Sequence, residues 1–267
     1  MRKHNSVGDL DYIVFLGTGG ARFVVSKQLR ATGGIWLSLN KTNLIIDPGP
    51  GALVRVVNSK YNLRPELLDA ILVSHKHIDH SNDVNIMIEA MTGGGTKKRG
   101  ILLCPQDAID GEDRVILPYL RSYLQEIVVL KEGLEYYVND TKISTPIKHK
   151  HPGEVYGFLI EFHSAQNKKI KIAYIADTKY FDQLALVYKS DVMIFNVIKL
   201  ESSELEHLSV EDVKTIIKAS NPKAAILTHF GMTMLRARPQ IIAEALSREL
   251  KVKVFAAYDG MKFDLDI

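Results

Sequence analysis

Apolar residues in this chain gather into short runs separated by polar or glycine-bearing breaks, and most of the runs predict strands. Strand patterns fall at 12–16, 35–39, 43–47, 70–74, 100–104, 126–130, 134–138, 142–147, 156–161, 170–176, 191–197, 224–228 and 251–256. Helical periodicity is confined to 51–58, 82–91, 181–188, 210–219 and 238–250. Pro50 is placed to open the first helix, and Ser209 with Asp212 three residues on resembles a cap before the fourth. The early half is rich in strands, and the later strands are followed by helices. That order predicts sheets stacked inside and helices outside, in one domain over 1–267. Residues 93–131 have the weakest pattern and read as a peripheral excursion near the functional site.

Composition narrows the class without naming it. A chain of 267 residues with 46% hydrophobic and 24% charged residues is an ordinary globular protein with ample core. A net charge of +3 accommodates an anionic substrate and does not by itself argue for nucleic acid. The basic clusters at 97–99, 168–169 and 251–253 read as solvated loops. The lone cysteine, Cys104, lies in an apolar run, excludes an internal disulfide and fits a reducing compartment. No apolar leader follows Met1 and no run reaches membrane-spanning length, so the expectation is a cytoplasmic protein without membrane contact.

The chemistry is concentrated in His75-Lys76-His77-Ile78-Asp79-His80, directly after the strand-like run 70–73. Residues two apart on extended chain point the same way, so His75 and His77 can converge on one cation. A turn into a helix would bring Asp79 and His80 toward a second point nearby. Two imidazoles for one ion, and a carboxylate with an imidazole for another, make half of a dinuclear zinc-type shell. Three further candidates sit where strands end: His151 beyond 142–147, Asp177 after 170–176 and His229 after 224–228. A strand end holds a side chain rigidly while its polar tip faces a cleft.

These residues resemble the metallo-β-lactamase fold family, whose His-x-His-x-Asp-His signature stands here as His75, His77, Asp79 and His80. The resemblance runs along nearly the whole chain and implies an α/β (α+β) fold, a four-layer αββα sandwich with the site along one edge of the sheets. It implies that His75, His77 and His151 bind a first metal, that Asp79, His80 and His229 bind a second, and that Asp177 bridges the two. Asp79, which supplies the second site, then counts as catalytic. Asp47 matches the family's early aspartate, which holds a ligand loop by hydrogen bonds. The spacing from His151 to Tyr156-Gly157-Phe158 resembles the ribonuclease Z and phosphodiesterase branch and favours His151 over His149, which stays as the fallback. In that branch a histidine at the place of His207 protonates the leaving group. Asn196 stands where that group has a glutamate, and no long Gly/Pro-rich arm is present; both depart from a transfer-RNA processing enzyme. His4 and His163 read as solvent-facing.

Gly17-Thr18-Gly19-Gly20-Ala21-Arg22 lacks the third glycine of a dinucleotide fingerprint and is followed by no helix of the right kind, so it reads as a tight turn by the site. Arg22 is a candidate anion clamp. The expected activity is a dinuclear hydrolase using a metal-bridging hydroxide on a cyclic or small phosphodiester, or on an RNA end. Two divalent ions serve it, zinc first, with manganese or iron admitted by the all-nitrogen and oxygen donor set. A lactonase or thioesterase would use the same apparatus. A non-hydrolytic metal-binding module is the third class, and the complete ligand set argues against it. The partners expected are a small anionic substrate, with nucleic acid as an option, and the resemblance leaves room for a homodimer.

Overall fold

The apolar runs become strands that divide their side chains between two different cores. A computed structural model describes residues 11–202 and 205–267. The first strands are β1 (Tyr12–Phe15), β2 (Ile35–Leu39), β3 (Thr42–Ile46), β4 (Ala70–Leu72), β5 (Ile101–Cys104) and β6 (Glu126–Val129). They are followed by β7 (Leu134–Val138), β8 (Thr141–Thr145), β9 (Phe158–His163), β10 (Lys169–Ile175), β11 (Val192–Lys199), β12 (Leu208–Ser209), β13 (Ala224–Thr228), β14 (Lys253–Ala256) and β15 (Met261–Asp264). The helices are α1 (Ala21–Ser26), α2 (Ala52–Val57), α3 (Ile78–Ser81), α4 (Val84–Thr92), α5 (Gln106–Ile109), α6 (Gln183–Val187), α7 (Val210–Ser220), α8 (Met232–Arg236) and α9 (Pro239–Leu250).

Among the described residues the strands form two sheets. One runs β15-β1-β2-β3-β4-β5-β6; the other runs β14-β13-β11-β10-β9-β8-β7, with β12 beside β11. Each sheet is antiparallel at one end and parallel at the other, the parallel sets being β3 to β6 and β10-β11-β13-β14. Ile13 and Phe15 of β1 meet Ile194 of β11 and Ile226 of β13 in the core between the sheets. Their neighbours face outward, Val14 beneath α2 and α4, and Met193 and Phe195 beneath α6, α7 and α9. With both faces covered, these strands are nearly all apolar. The result is the αββα sandwich expected from the resemblance.

Some local expectations change. The helix expected at 82–91 is α4, and a separate one-turn helix, α3, precedes it, with His77 and Asp83 flanking the two starts. Gly51, not Pro50, flanks the start of α2, since the chain needs φ of +88° there. A six-residue helix, α1, does follow the glycine turn, too short to revive a dinucleotide reading. Strand β15 escapes the apolar pattern because it is a four-residue edge strand, Met-Lys-Phe-Asp, whose alternate residues are charged. Residues 93–131 supply β5 and the edge strand β6 and bury Ile116, Leu120 and Leu124 in the outer core. Ser209 and Asp212 form the reciprocal cap of α7, so His207 precedes β12 and lies outside that helix. Among the described residues no helix is long and apolar enough to cross a membrane.

Candidate metal centre

The polar side chains follow the carboxyl ends of parallel strands in both sheets. His75 follows β4 by three residues, Asp177 follows β10 by two, and His229 directly follows β13. The chain after β4 turns into α3, which swings Asp79 and His80 to the same opening. Nε2 of His75 lies 3.0 Å from Nδ1 of His77, and Nε2 of His151 lies 3.2 Å from that same Nδ1. Oδ2 of Asp79 is 3.3 Å from Nε2 of His229 and 3.8 Å from Nε2 of His80. Asp177 lies 3.5 Å from Nε2 of His80 and 3.5 Å from Nδ1 of His229, and its carboxylate also clusters with the ring nitrogens of His75 and His80. Donor atoms of His75, His77 and His151 form one compact triad, and those of Asp79, His80 and His229 another.

Behind the triads lies a layer of hydrogen bonds. The Asp47 carboxylate accepts from the Ser74 backbone N–H at 2.7 Å, the Ser74 hydroxyl at 2.7 Å, Nδ1 of His80 at 2.9 Å and the Tyr174 hydroxyl at 2.7 Å. The Ser74 hydroxyl also touches Nδ1 of His75 at 3.0 Å, and the Glu206 carbonyl accepts from Nδ1 of His151 at 2.8 Å. Asn196 donates its amide to Asp177 at 2.8 Å and to the Tyr174 oxygen at 3.1 Å. Gly49 lets the backbone of Asp79 come close, since a Cβ there would overlap the Asp79 carbonyl. Asp47 and His229 both adopt left-handed backbone, φ of +50° and +58°, a conformation that costs non-glycine residues about 1–3 kcal/mol and collects at functional sites.

The electrostatics are opposed across a few ångströms. Burial, reinforced by the neighbouring His80, pushes His75 well below the ordinary histidine range. Burial acts the same way on His80, but Asp79, Asp177 and Asp47 outweigh it and hold that imidazole well above its ordinary range. Burial would raise both Asp79 and Asp177; His80 and His229 outweigh it and keep the carboxylates ionised. Nε2 of His80, both ring nitrogens of His229 and Nδ1 of His207 are buried without a hydrogen-bond partner. Orphaned buried polar atoms are costly unless something else satisfies them. A donor set of imidazoles and carboxylates with no thiolate suits divalent cations of the zinc class, so the residues fit such ions.

The seven residues expected as ligands, together with Asp47, are therefore gathered at one opening. His151 is the histidine that reaches His77. His149 turns inward instead, with Nε2 3.0 Å from the Tyr188 hydroxyl, and burial pushes its pKa down to about 4. His207 lies at the rim, with Nδ1 3.5 Å from Asp177 and its ring 4.7 Å from that of His151. Burial outweighs Asp177 and pushes His207 down to about 4. Asn196, which cannot supply the missing glutamate's charge, serves Asp177 instead. Arg22 is exposed on α1, His163 is exposed at the end of β9, and His4 lies outside the described residues. Sequence reasoning missed Ser74 and Tyr174. Serine directly before the histidine cluster was a readable signal; Tyr174, inside an apolar strand, gave none.

A four-layer sandwich with histidines and aspartates along one sheet edge defines a metallo-β-lactamase fold. The beta-lactamase superfamily domain matches residues 42–230, and the chain belongs to that family. The uncharacterized protein MJ1374 of Methanocaldococcus jannaschii is 33% identical over 261 residues, covering 95% of this chain and 94% of that protein. Ribonuclease Z of Borrelia garinii subsp. bavariensis is 21% identical over 311 residues, covering 94% of this chain and 96% of that enzyme. The metallo-beta-lactamase fold protein YhfI from Bacillus subtilis superposes with a TM-score of 0.78 at 18% identity, over 96% of this chain and 100% of YhfI. The chain is thus a metallo-β-lactamase-fold hydrolase related to ribonuclease Z.

Proposed function

We propose that this chain is a dinuclear metal-dependent phosphodiesterase, acting on a cyclic or small phosphodiester or on an RNA end. One observation carries the reading above all: six donor residues form two triads, Asp177 clusters with a histidine of each, and buried ring nitrogens of His80 and His229 have no hydrogen-bond partner. His75, His77 and His151 would hold one cation, Asp79, His80 and His229 the other, and Asp177 would reach both. When bound, such a pair lowers the pKa of a shared water toward neutrality and offsets charge building on the attacked centre.

The chain's own residues do the rest. Asp47 and Ser74 fix the rings of His80 and His75, so the donors need no reorganisation. Asn196 keeps the Asp177 carboxylate turned to the opening. His207, at the rim beside Asp177, is placed to pass a proton to the departing alkoxide once an anionic substrate beside it raises its pKa from about 4 toward the working pH. The likeness to ribonuclease Z over most of the chain supports phosphorus over a carbonyl centre.

The test is elemental analysis of protein purified without chelator, joined to a substrate panel. The panel contains bis(p-nitrophenyl) phosphate, a cyclic nucleotide, an RNA with a 3′ extension, a lactone and a thioester. Near two equivalents of transition metal and turnover of a phosphodiester are expected. His77→Ala should lose both metal and activity, whereas His207→Ala should keep its metal while kcat falls about a hundredfold or more. Turnover confined to the lactone and thioester would reject the phosphodiester assignment, and protein that takes up no metal would reject the site.

A further inference from the structure

The cluster histidines are not all held in the same way. Nδ1 of His75 meets the Ser74 hydroxyl, Nδ1 of His80 meets Asp47, and Nδ1 of His151 meets the Glu206 carbonyl. Each contact fixes its ring from behind, the usual arrangement for an imidazole ligand. His229 has no such backing partner: neither ring nitrogen meets hydrogen-bond geometry, and the polar atoms nearest them are the carboxylates of Asp79 and Asp177, themselves expected ligands. Its backbone is left-handed besides, so its own strand does not dictate where the ring points.

What meets the ring is a wall of backbone. Gly20 lies flat against it, and a Cβ on Gly20 would overlap the imidazole. The 17–20 turn is tied to the His229 strand exit through Phe230, whose N–H donates to the Thr18 carbonyl at 2.8 Å and whose carbonyl accepts from the Gly20 N–H at 3.1 Å. The opposite side of that turn is anchored by one carboxylate. Oδ1 of Asp259 accepts from the Thr18 N–H at 2.9 Å and the Thr18 hydroxyl at 2.7 Å, while Oδ2 accepts from the Ala31 N–H at 2.8 Å. Asp259 sits in the crossover from β14, in one sheet, to β15, in the other. It therefore pins the glycine turn at the junction between the sheets.

We infer that Asp259 is the positioning residue for His229: through Thr18 and the glycine turn it sets the imidazole by shape, where His75, His80 and His151 are set by hydrogen bonds from behind. The inference rests on the dinuclear reading of the site and adds that the two metal positions depend on different supports. Loss of Asp259 loosens the position made by Asp79, His80 and His229 and leaves that of His75, His77 and His151 intact. Asp259 touches no donor atom, so its effect passes entirely through the turn.

The experiment is calorimetric zinc titration of metal-stripped wild type, Asp259→Asn and Gly20→Ala, with circular dichroism and thermal melts of the stripped proteins alongside. Wild type is expected to bind two equivalents. In Asp259→Asn one equivalent should bind as before and the other about tenfold or more weakly, the scale of losses when a ligand's support is removed. Gly20→Ala, which presses on the ring from the same side, should weaken the same equivalent and so reports even where Asp259→Asn folds poorly. Wild type and variants alike binding two equivalents, or both equivalents weakening together in folded variants, overturns the role of Asp259 and leaves the dinuclear reading standing. Wild type binding fewer than two overturns both.

Discussion

Asp47 is the most heavily used side chain behind the site, because one buried carboxylate accepts four hydrogen bonds from three residues. Ser74, His80 and Tyr174 come from β4's exit, α3 and β10, so the carboxylate joins both sheets to the ligand loop. Removing it leaves a buried tyrosine hydroxyl, a serine and an imidazole without their acceptor. Truncating one partner of such a buried charged network costs about 3–5 kcal/mol. Asp47→Ala should therefore lower the urea unfolding free energy of the metal-free protein by about 3 kcal/mol, measured against wild type under the same conditions. A loss below about 1 kcal/mol, the worth of one ordinary hydrogen bond, would show that the network is not cooperative.

The strands β8, β9 and β10 carry an ionic device far from the metal centre. Glu161 on β9 lies buried with Lys169 at 2.6 Å, Lys142 at 3.1 Å and Lys171 at 3.5 Å. Burial would raise its pKa, but the hydrogen bonds from Lys169 and Lys142, aided by the charge of Lys171, bring it from the ordinary 4.5 down to about 2. A carboxylate depressed in the folded state stabilises above its unfolded pKa, and that contribution fades as pH falls through the folded value. Stability contributed by β9 should therefore be complete at pH 5 and decline between about pH 4.5 and 2. The urea midpoint of Glu161→Gln should vary less with pH across that window than that of wild type; identical slopes would remove the assignment.

Across the molecule, the two sheets act as rigid arms whose strand ends meet at one opening. The cost of that meeting is visible in the side chains themselves: ionised carboxylates, a buried His80 held charged and imidazole nitrogens without hydrogen-bond partners. Ions that bind the folded chain and not the unfolded one stabilise it by mass action, about 2.7 kcal/mol per site at a hundredfold excess over Kd. Zinc added to stripped protein should raise Tm by several degrees, and chelator should reverse the gain. An unchanged Tm in saturating zinc would mean that the opening does not bind it.

Much of this was legible along the chain. Strands buried on both faces must be apolar throughout, so the runs revealed themselves, and His75, His77, Asp79 and His80 stand close enough that local chain geometry alone brings them together. Where ligands or supports come from distant segments, adjacency carries no such information. His149 and His151 are two residues apart and would share a direction on a straight strand, but the chain bends at 150–154 and only His151 reaches His77. The pairing of β15 with β1, the partnership of Asn196 with Asp177 and the clamp from Asp259 to Thr18 were settled by packing, because each joins separate segments that only the assembled sheets bring side by side.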